Sequence, residues 1–297
     1  MPAQTKPPPI RACLFDMDGL LLDTEDLYTI VTNQLLHRYN KPSLPWSIKA
    51  QLQGRPGPEA SRIFHAWAQL PISNDEYMAA QSALQRELFP SAKPLPGVVD
   101  LLHTLSGRTA GGVQIALATS SHSGNYKLKT THLAGLFALF PPECRVLGDD
   151  PRIGKGRGKP APDIYLLALE QVNGRLRSQG AKEEDLIRPE ECLVFEDSVP
   201  GVEAGRRAGM QVIWCPHPGL REEYKGREEE VLAGLTGEHK EVEDQGERLA
   251  QANEVLVQKE TGEKRRDGQP GQAGDGWGVY LETLEGFPYE RFGISIS

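Results

Sequence analysis

The chain has 297 residues, enough for one or two domains with a sizeable core. Hydrophobic residues make up 38% and charged residues 25%, as in ordinary globular proteins, and a formal net charge of −8 gives no electrostatic footing for a nucleic-acid partner. No run approaches the length of a membrane span.

Residues 1–9 are proline-rich and lack a hydrophobic signal core, so they read as a short disordered lead. The apolar run Ile10–Phe15 follows, and it reads as a strand buried on both faces of a parallel sheet. It ends in Asp16-Met17-Asp18-Gly19. Asp16 and Asp18 alternate along the extended chain, so both side chains can address one site at the strand's carboxyl end, where such sheets bind ligands. Two anions held together repel, and a divalent cation relieves that. The pair therefore suits a carboxylate nucleophile, a neighbouring acid/base and Mg²⁺. A plain polar turn is the competing reading of these residues alone.

From Glu25 to Lys93 the sequence holds only helical patterns. Leu27, Ile30, Val31 and Leu35 are spaced to share a face, as are Ala60, Ile63, Phe64 and Trp67. Ser73 and Glu76 have the spacing of a capping box, and Pro94-Leu95-Pro96-Gly97 punctuates the end. A helical cap over 25–96 is thus expected just after the first strand, placed to cover the carboxylates and exclude water. Beyond it, Val113–Thr119, Arg145–Gly148, Cys192–Phe195 and Gln211–Cys215 read as strands, with helical patterns between them at Ile164–Val172 and Gly201–Ala208. The alternation predicts an α/β fold, a Rossmann-like parallel sheet with helices on both faces, built from 10–24 and 97–235.

Three of these later segments end in reactive chemistry. Thr119-Ser120-Ser121 closes one strand with hydroxyls. Gly158-Lys159-Pro160 sets a lysine in a turn leading into a helix. Glu196-Asp197-Ser198 closes another strand with two carboxylates. Each alone has a structural explanation, such as a surface lysine or a helix N-cap. Together they place hydroxyl, ammonium and a second acidic pair at strand ends, in the order a phosphoryl-transfer site can use. The cysteines are Cys13, Cys144, Cys192 and Cys215; three lie in apolar runs and none forms a C-x-x-C pair. Buried reduced thiols in a cytoplasmic protein are expected. Residues 236–276 are rich in Glu, Lys, Gln and Gly and are expected to be a disordered insertion, with room for a charged helix within Glu247–Lys259. Trp277-Gly278-Val279-Tyr280-Leu281 and Phe287-Pro288-Tyr289 predict that 277–297 docks back on the core.

From about Arg11 to Pro216 the chain resembles the haloacid dehalogenase (HAD) superfamily, whose four motifs match the segments just quoted. It is similar in particular to the GS1-like branch, whose named activity is pseudouridine-5′-phosphatase. That narrower match rests on Asp16 to Glu25, Gly54 with Glu59-Ala60, Phe89-Pro90, Lys129-Thr130 and Gly148-Asp149-Asp150-Pro151. The resemblance implies a Mg²⁺-dependent phosphomonoester hydrolase that works through an aspartyl-phosphate on a small phosphorylated metabolite. Pseudouridine 5′-phosphate is the named candidate, and neither nucleic acid nor membrane is implied as a partner. Asp16 would be the nucleophile and Asp18 the acid/base. Thr119 and Ser120 would address the phosphate, and Lys159 would supply fixed positive charge. Asp197, with Asp16 and the Asp18 carbonyl, would hold the metal, with Glu196 an indirect or alternate ligand. The cap loop Gly54-Arg55-Pro56-Gly57-Pro58-Glu59 departs from relatives, which tend to carry a lysine-containing, proline-free stretch. Arg55 is the candidate there for a substrate clamp. A sugar-phosphate mutase of the β-phosphoglucomutase kind or a sugar or glycerol phosphatase is the alternative. Dehalogenase chemistry needs neither Asp18 nor the acidic metal pair, and a non-catalytic role predicts a missing catalytic residue where none is missing.

Overall fold

A computed structural model describes residues 7–55, 57–109, 112–237 and 270–296. Strand β1 (Ala12–Phe15) has all four side chains buried, as a run covered on both faces must. Next come α1 (Thr24–Arg38), α2 (Trp46–Leu52), α3 (Gly57–Ala68) and α4 (Asn74–Leu88). Helix α5 (Val98–Gly107) leads to β2 (Gln114–Ala118). Helices α6 (Ser123–Thr130) and α7 (Ala134–Phe137) precede the short β3 (Arg145–Val146). Helix α8 (Asp163–Ser178) crosses to β4 (Cys192–Glu196), and α9 (Val199–Arg207) to β5 (Gln211–Trp214). Then α10 (Pro218–Glu223) and α11 (Glu228–Ala233) stand before β6 (Gly278–Tyr280).

Among the described residues the sheet has six strands in the order β3-β2-β1-β4-β5-β6. Every neighbouring pair is parallel. Phe15 lies level with Leu117 on one side and Phe195 on the other. The carboxyl ends of β1, β2 and β4 therefore form one edge, and the residues that follow each strand meet there.

Alternation along the strands divides the core into two layers. Cys13, Phe15, Ile115, Leu117, Leu193, Phe195 and Ile213 face Leu101, Leu102 and Leu105 of α5. Ala12, Leu14, Ala116, Val194, Val212 and Trp214 face Tyr165 and Ala168 of α8 and Val202 of α9. Phe15 stacks on Phe195 at 4.4 Å between ring centroids. Burying one such ring contributes about 2–3 kcal/mol, so the strand that carries the aspartate pair is firmly anchored.

Helices α1 to α4 have an apolar cluster of their own, including Val31, Leu35, Leu36, Phe64, Tyr77 and Leu84. The Ser73–Glu76 pair does form the capping box of α4: Glu76 N–H donates to Ser73 Oγ at 3.2 Å, and Ser73 N–H donates to Glu76 Oε2 at 2.9 Å. On α1 the buried stripe is Thr24, Val31, Thr32, Leu35 and Leu36, so it is rotated by about one residue from the expected face, and Ile30 is 44% exposed.

Two other differences have simple causes. β3 is a two-residue edge strand because the chain leaves the ladder at Leu147, and Gly148 N–H donates to Ser121 O at 3.0 Å. β6, unexpected from sequence, extends the sheet beyond β5 with Ile213 level with Val279. Phe287, Phe292 and Ile294 then enter the first apolar layer.

The charged stretch is described only at its ends. Gly271 N–H donates to Ala233 O at 2.8 Å, Gly274 N–H donates to Glu229 Oε2 at 2.9 Å, and Arg206 pairs with Asp275. Residues 238–269, including the helix expected within Glu247–Lys259, lie outside the described residues. So do residues 1–6 of the lead, whereas Pro8 O accepts from Gln211 Nε2 at 3.2 Å. All four cysteines are free. Among the described residues no helix is long and apolar enough to cross a membrane.

Candidate active site

The site starts where β1 stops. Asp16 N–H still donates to Phe195 O at 3.0 Å, and the chain then closes a tight loop in which Leu22 N–H returns to Met17 O at 3.0 Å. Gly19 sits at φ +78° in this loop, and a Cβ there would overlap Asp197 Oδ2. Only glycine combines that backbone with that closeness. The loop after β1 is therefore pressed against the acidic turn after β4.

On the core side, Lys159 is 2% exposed and its ammonium lies 2.5 Å from Asp16 Oδ1 and 2.6 Å from Glu196 Oε1, with Ala118 O at 3.2 Å. Glu196 Oε1 also accepts from Tyr165 Oη at 2.5 Å. Its Oε2 accepts from Asp197 N–H, Ser198 N–H and Ser198 Oγ at 3.0–3.1 Å. Both Glu196 oxygens are thus engaged by protein donors, and the side chain shapes the turn that presents Asp197. Asp197 is 1% exposed, and its carbonyl accepts from Trp214 Nε1 at 2.9 Å.

Asp16, Glu196 and Asp197 each offer an oxygen within 4.8 Å of the other two. Burial raises Asp16 to about 7; Lys159 pulls it down, and Glu196 and Asp18 push it up. Burial, then the charges of Glu196 and Asp16, hold Asp197 well above the usual carboxylate range. Burial works against the Lys159 charge, but Asp16 and Glu196 outweigh it and raise the ammonium. Three buried carboxylates around one ammonium leave an excess of negative charge. An all-oxygen donor set of that kind fits a hard divalent cation.

Asp18 faces a different set of groups. Its Oδ1 accepts from Thr24 Oγ1 at 2.6 Å and from Lys129 Nζ at 2.5 Å, and its Oδ2 accepts from Ser121 Oγ at 2.6 Å. Burial alone would raise Asp18, but the Lys129 charge and the three hydrogen bonds outweigh it and hold the carboxyl below its ordinary value. Lys129 is fully buried and also donates to Tyr28 Oη at 2.8 Å and Ser121 Oγ at 2.9 Å.

Thr119 is fully buried, and its Oγ1 accepts from Ser121 N–H at 3.1 Å. Of the three hydroxyls, Ser121 and not Ser120 turns inward to Asp18; Ser120 is exposed. Gln53 is 6% exposed, and its Nε2 donates to Asp197 Oδ2 at 2.5 Å. Gln53 Oε1 is buried without a partner. Gly54, at φ +76°, lies so close to Ser198 that a Cβ would overlap its side chain. Arg55 pairs with Glu59 Oε1 at 2.7 Å, and both are buried.

The fold thus gathers Asp16, Lys159, Glu196 and Asp197 into one hydrogen-bonded cluster and sets Asp18 beside it. Thr119 sits at the same sheet edge, Arg55 is held by Glu59, and Ser120 points to solvent. Lys129, Ser121, Thr24, Tyr28 and Gln53 belong to the neighbourhood although the sequence assigned them no role. Ser121 had a readable signal, since it is two residues from Thr119 and alternation turns both the same way. Lys129 and Thr24 lay inside segments that carry the family resemblance, with no role attached to them, and Tyr28 and Gln53 had no signal.

Comparison with known proteins agrees with this geometry. A family model described as haloacid dehalogenase-like hydrolase matches residues 10–209. The chain is 44% identical over 230 residues to "Probable pseudouridine-5′-phosphatase" of Saccharomyces cerevisiae, covering 77% of this chain and 92% of that one. It is 38% identical over 228 residues to "(DL)-glycerol-3-phosphatase 1, mitochondrial" of Arabidopsis thaliana, covering 76% of this chain and 70% of that one. Among solved structures, a HAD family hydrolase from Deinococcus radiodurans with bound phosphate and sodium is similar, with a TM-score of 0.53 and 27% identity. The match covers 71% of this chain and 82% of that one.

Proposed function

This chain belongs to the haloacid dehalogenase-like hydrolases, and from that premise we propose that it hydrolyses a small phosphorylated metabolite through Asp16. The observation that carries the reading is the Asp16 carboxylate at the end of the central strand, with buried Lys159 on one oxygen and Asp197 within metal-bridging reach.

Asp16 attacks phosphorus, and the ester P–O bond breaks as the aspartyl-phosphate forms. Asp18, ionised in the resting site, takes a proton from the bound phosphomonoester monoanion and gives it to the leaving alkoxide oxygen. It then takes a proton from the water that attacks the aspartyl-phosphate, releasing inorganic phosphate and restoring Asp16. Lys159 and the Thr119 hydroxyl hold the transferring phosphoryl oxygens, and Lys159 compensates the charge that develops on them. Asp16, the Asp18 carbonyl and Asp197 would hold Mg²⁺, which neutralises charge on nucleophile and phosphate when bound. Glu196 keeps Lys159 and the Asp197 turn in place. Four free thiols without a disulfide suit a reducing compartment, which we take as the cytoplasm.

The identity with the yeast relative supports pseudouridine 5′-phosphate as the substrate. Glycerol 3-phosphate is the second reading, supported by the Arabidopsis relative. Substrate choice falls to the loop around Gln53 and Arg55, because the phosphate is handled from the core. The test is phosphate release with Mg²⁺ over a panel of phosphorylated metabolites, with Asp16→Asn as control. Pseudouridine 5′-phosphate should give the highest kcat/KM, and Asp16→Asn should lose on the order of 10⁴-fold or more. A panel headed by glycerol phosphate would favour the second reading, and a fully active Asp16→Asn would overturn the nucleophile.

A further inference from the structure

Lys129 carries a positive charge into the protein interior. It lies on α6, is fully buried, and its ammonium sits 4.6 Å and 4.7 Å from the ring centres of Tyr28 and Phe89. An ammonium has three hydrogens. Here each has an acceptor: Asp18 Oδ1 at 2.5 Å, Tyr28 Oη at 2.8 Å and Ser121 Oγ at 2.9 Å. These acceptors come from three parts of the chain, the loop after β1, helix α1 and the loop after β2. Burying a lysine is costly unless it is fully paired, and this one is fully paired.

The pairing is directional. A carboxylate oxygen accepts about two hydrogen bonds. Asp18 Oδ1 has both, from Thr24 and Lys129, whereas Oδ2 has one, from Ser121. Ser121 Oγ in turn accepts from Lys129 while it donates to Oδ2. Lys129 therefore grips one oxygen directly and steers the other through a hydroxyl. With Oδ1 saturated, the position left for a proton is on Oδ2.

We propose that Lys129 is the positioning residue for Asp18, fixing the rotation of its carboxyl so that Oδ2 carries the proton to and from substrate, and tying that alignment through Tyr28 to the seating of α1. The proposal rests on the acid/base reading of Asp18. Lys129 touches no reacting atom; it acts through Asp18.

Leaving-group dependence tests it. An alkyl phosphate must have its oxygen protonated as it departs, whereas 4-nitrophenyl phosphate releases a stable phenolate that needs little help. A lysine that only stabilises the fold would, when replaced, lower both reactions alike. Lys129→Met keeps an unbranched side chain, one heavy atom shorter, and removes the charge. Its kcat/KM for an alkyl phosphate should fall roughly 10²-fold, and the fall for 4-nitrophenyl phosphate should be at least several times smaller. Tyr28→Phe, which removes one oxygen, should show the same split in weaker form and serves if Lys129→Met does not fold. Equal losses on both substrate classes, in either variant, would overturn the role of Lys129. Failure of the wild type with Mg²⁺ to hydrolyse either class would overturn the reading of the reaction itself, and Lys129 with it.

Discussion

Each member of the aspartate pair has its own buried lysine, and the surroundings of the two lysines differ in charge. Lys159 meets Asp16 and Glu196 with Asp197 close by, so one ammonium serves three carboxylates. Lys129 meets one carboxylate, Asp18, and two neutral hydroxyls. The first side is short of positive charge, and the second is neutral. On the proposed reading this difference becomes a division of labour set by electrostatics: the Lys159 cluster would take the cation, and Asp18, where no further charge is wanted, would carry the proton traffic.

The strongest way to break this comparison is Asp18→Asn. The substitution keeps the shape and the backbone carbonyl but cannot exchange a proton. We expect kcat to fall roughly 10²–10⁴-fold, while Mg²⁺ affinity, measured by calorimetry, changes little. A large loss of metal affinity would mean that the two sides are not separate. A smaller effect sharpens the other side. Gln53 donates to Asp197 Oδ2 and orients it. Gln53→Met should weaken Mg²⁺ binding about tenfold, and unchanged affinity would show that the Gln53 contact has no bearing on the metal.

The smallest effect is on stability without metal. Asp16 ionises at about 7 in the fold against 3.8 ordinarily. Between those values the folded protein binds more protons than the unfolded chain, so stability falls as pH rises through the window. Asp16→Asn removes the share of this dependence that Asp16 contributes. With metal chelated, the variant should melt a few degrees above the wild type at pH 8, and the gap should close toward pH 5. Parallel melting curves across that range would mean that the excess charge is relieved in some other way.

How much of this was legible in the sequence depends on the type of signal. Asp16, Thr119, Glu196 and Asp197 end apolar strands, and a polar residue closing such a run marks the functional edge of a parallel sheet. Lys159 stood out because it follows glycine and precedes proline at the head of a helix. Lys129 was matched by resemblance, but its burial and its contact with Asp18 could not be read in this way. It lies in Ser123-Gly124-Asn125-Tyr126-Lys127-Leu128-Lys129-Thr130, a polar helix in which a lysine is by default a surface residue. Its burial arises only when α1 brings Tyr28 and the chain after α4 brings Phe89 against it. Gln53 was hidden similarly, since its partner Asp197 is 144 residues away. β6 was missed because three residues beginning with glycine carry no strand period; the unpaired edge of β5 recruits them.

The two ends of the charged stretch meet at the bond between Gly271 N–H and Ala233 O. Ala233 and Gly271 are thus neighbours in space although 37 residues separate them in sequence. Chain added between such ends, if it makes no new contacts, costs only about 0.6 kcal/mol for each doubling of its length. A protein engineer can use the seam between these two neighbouring points to graft a reporter domain.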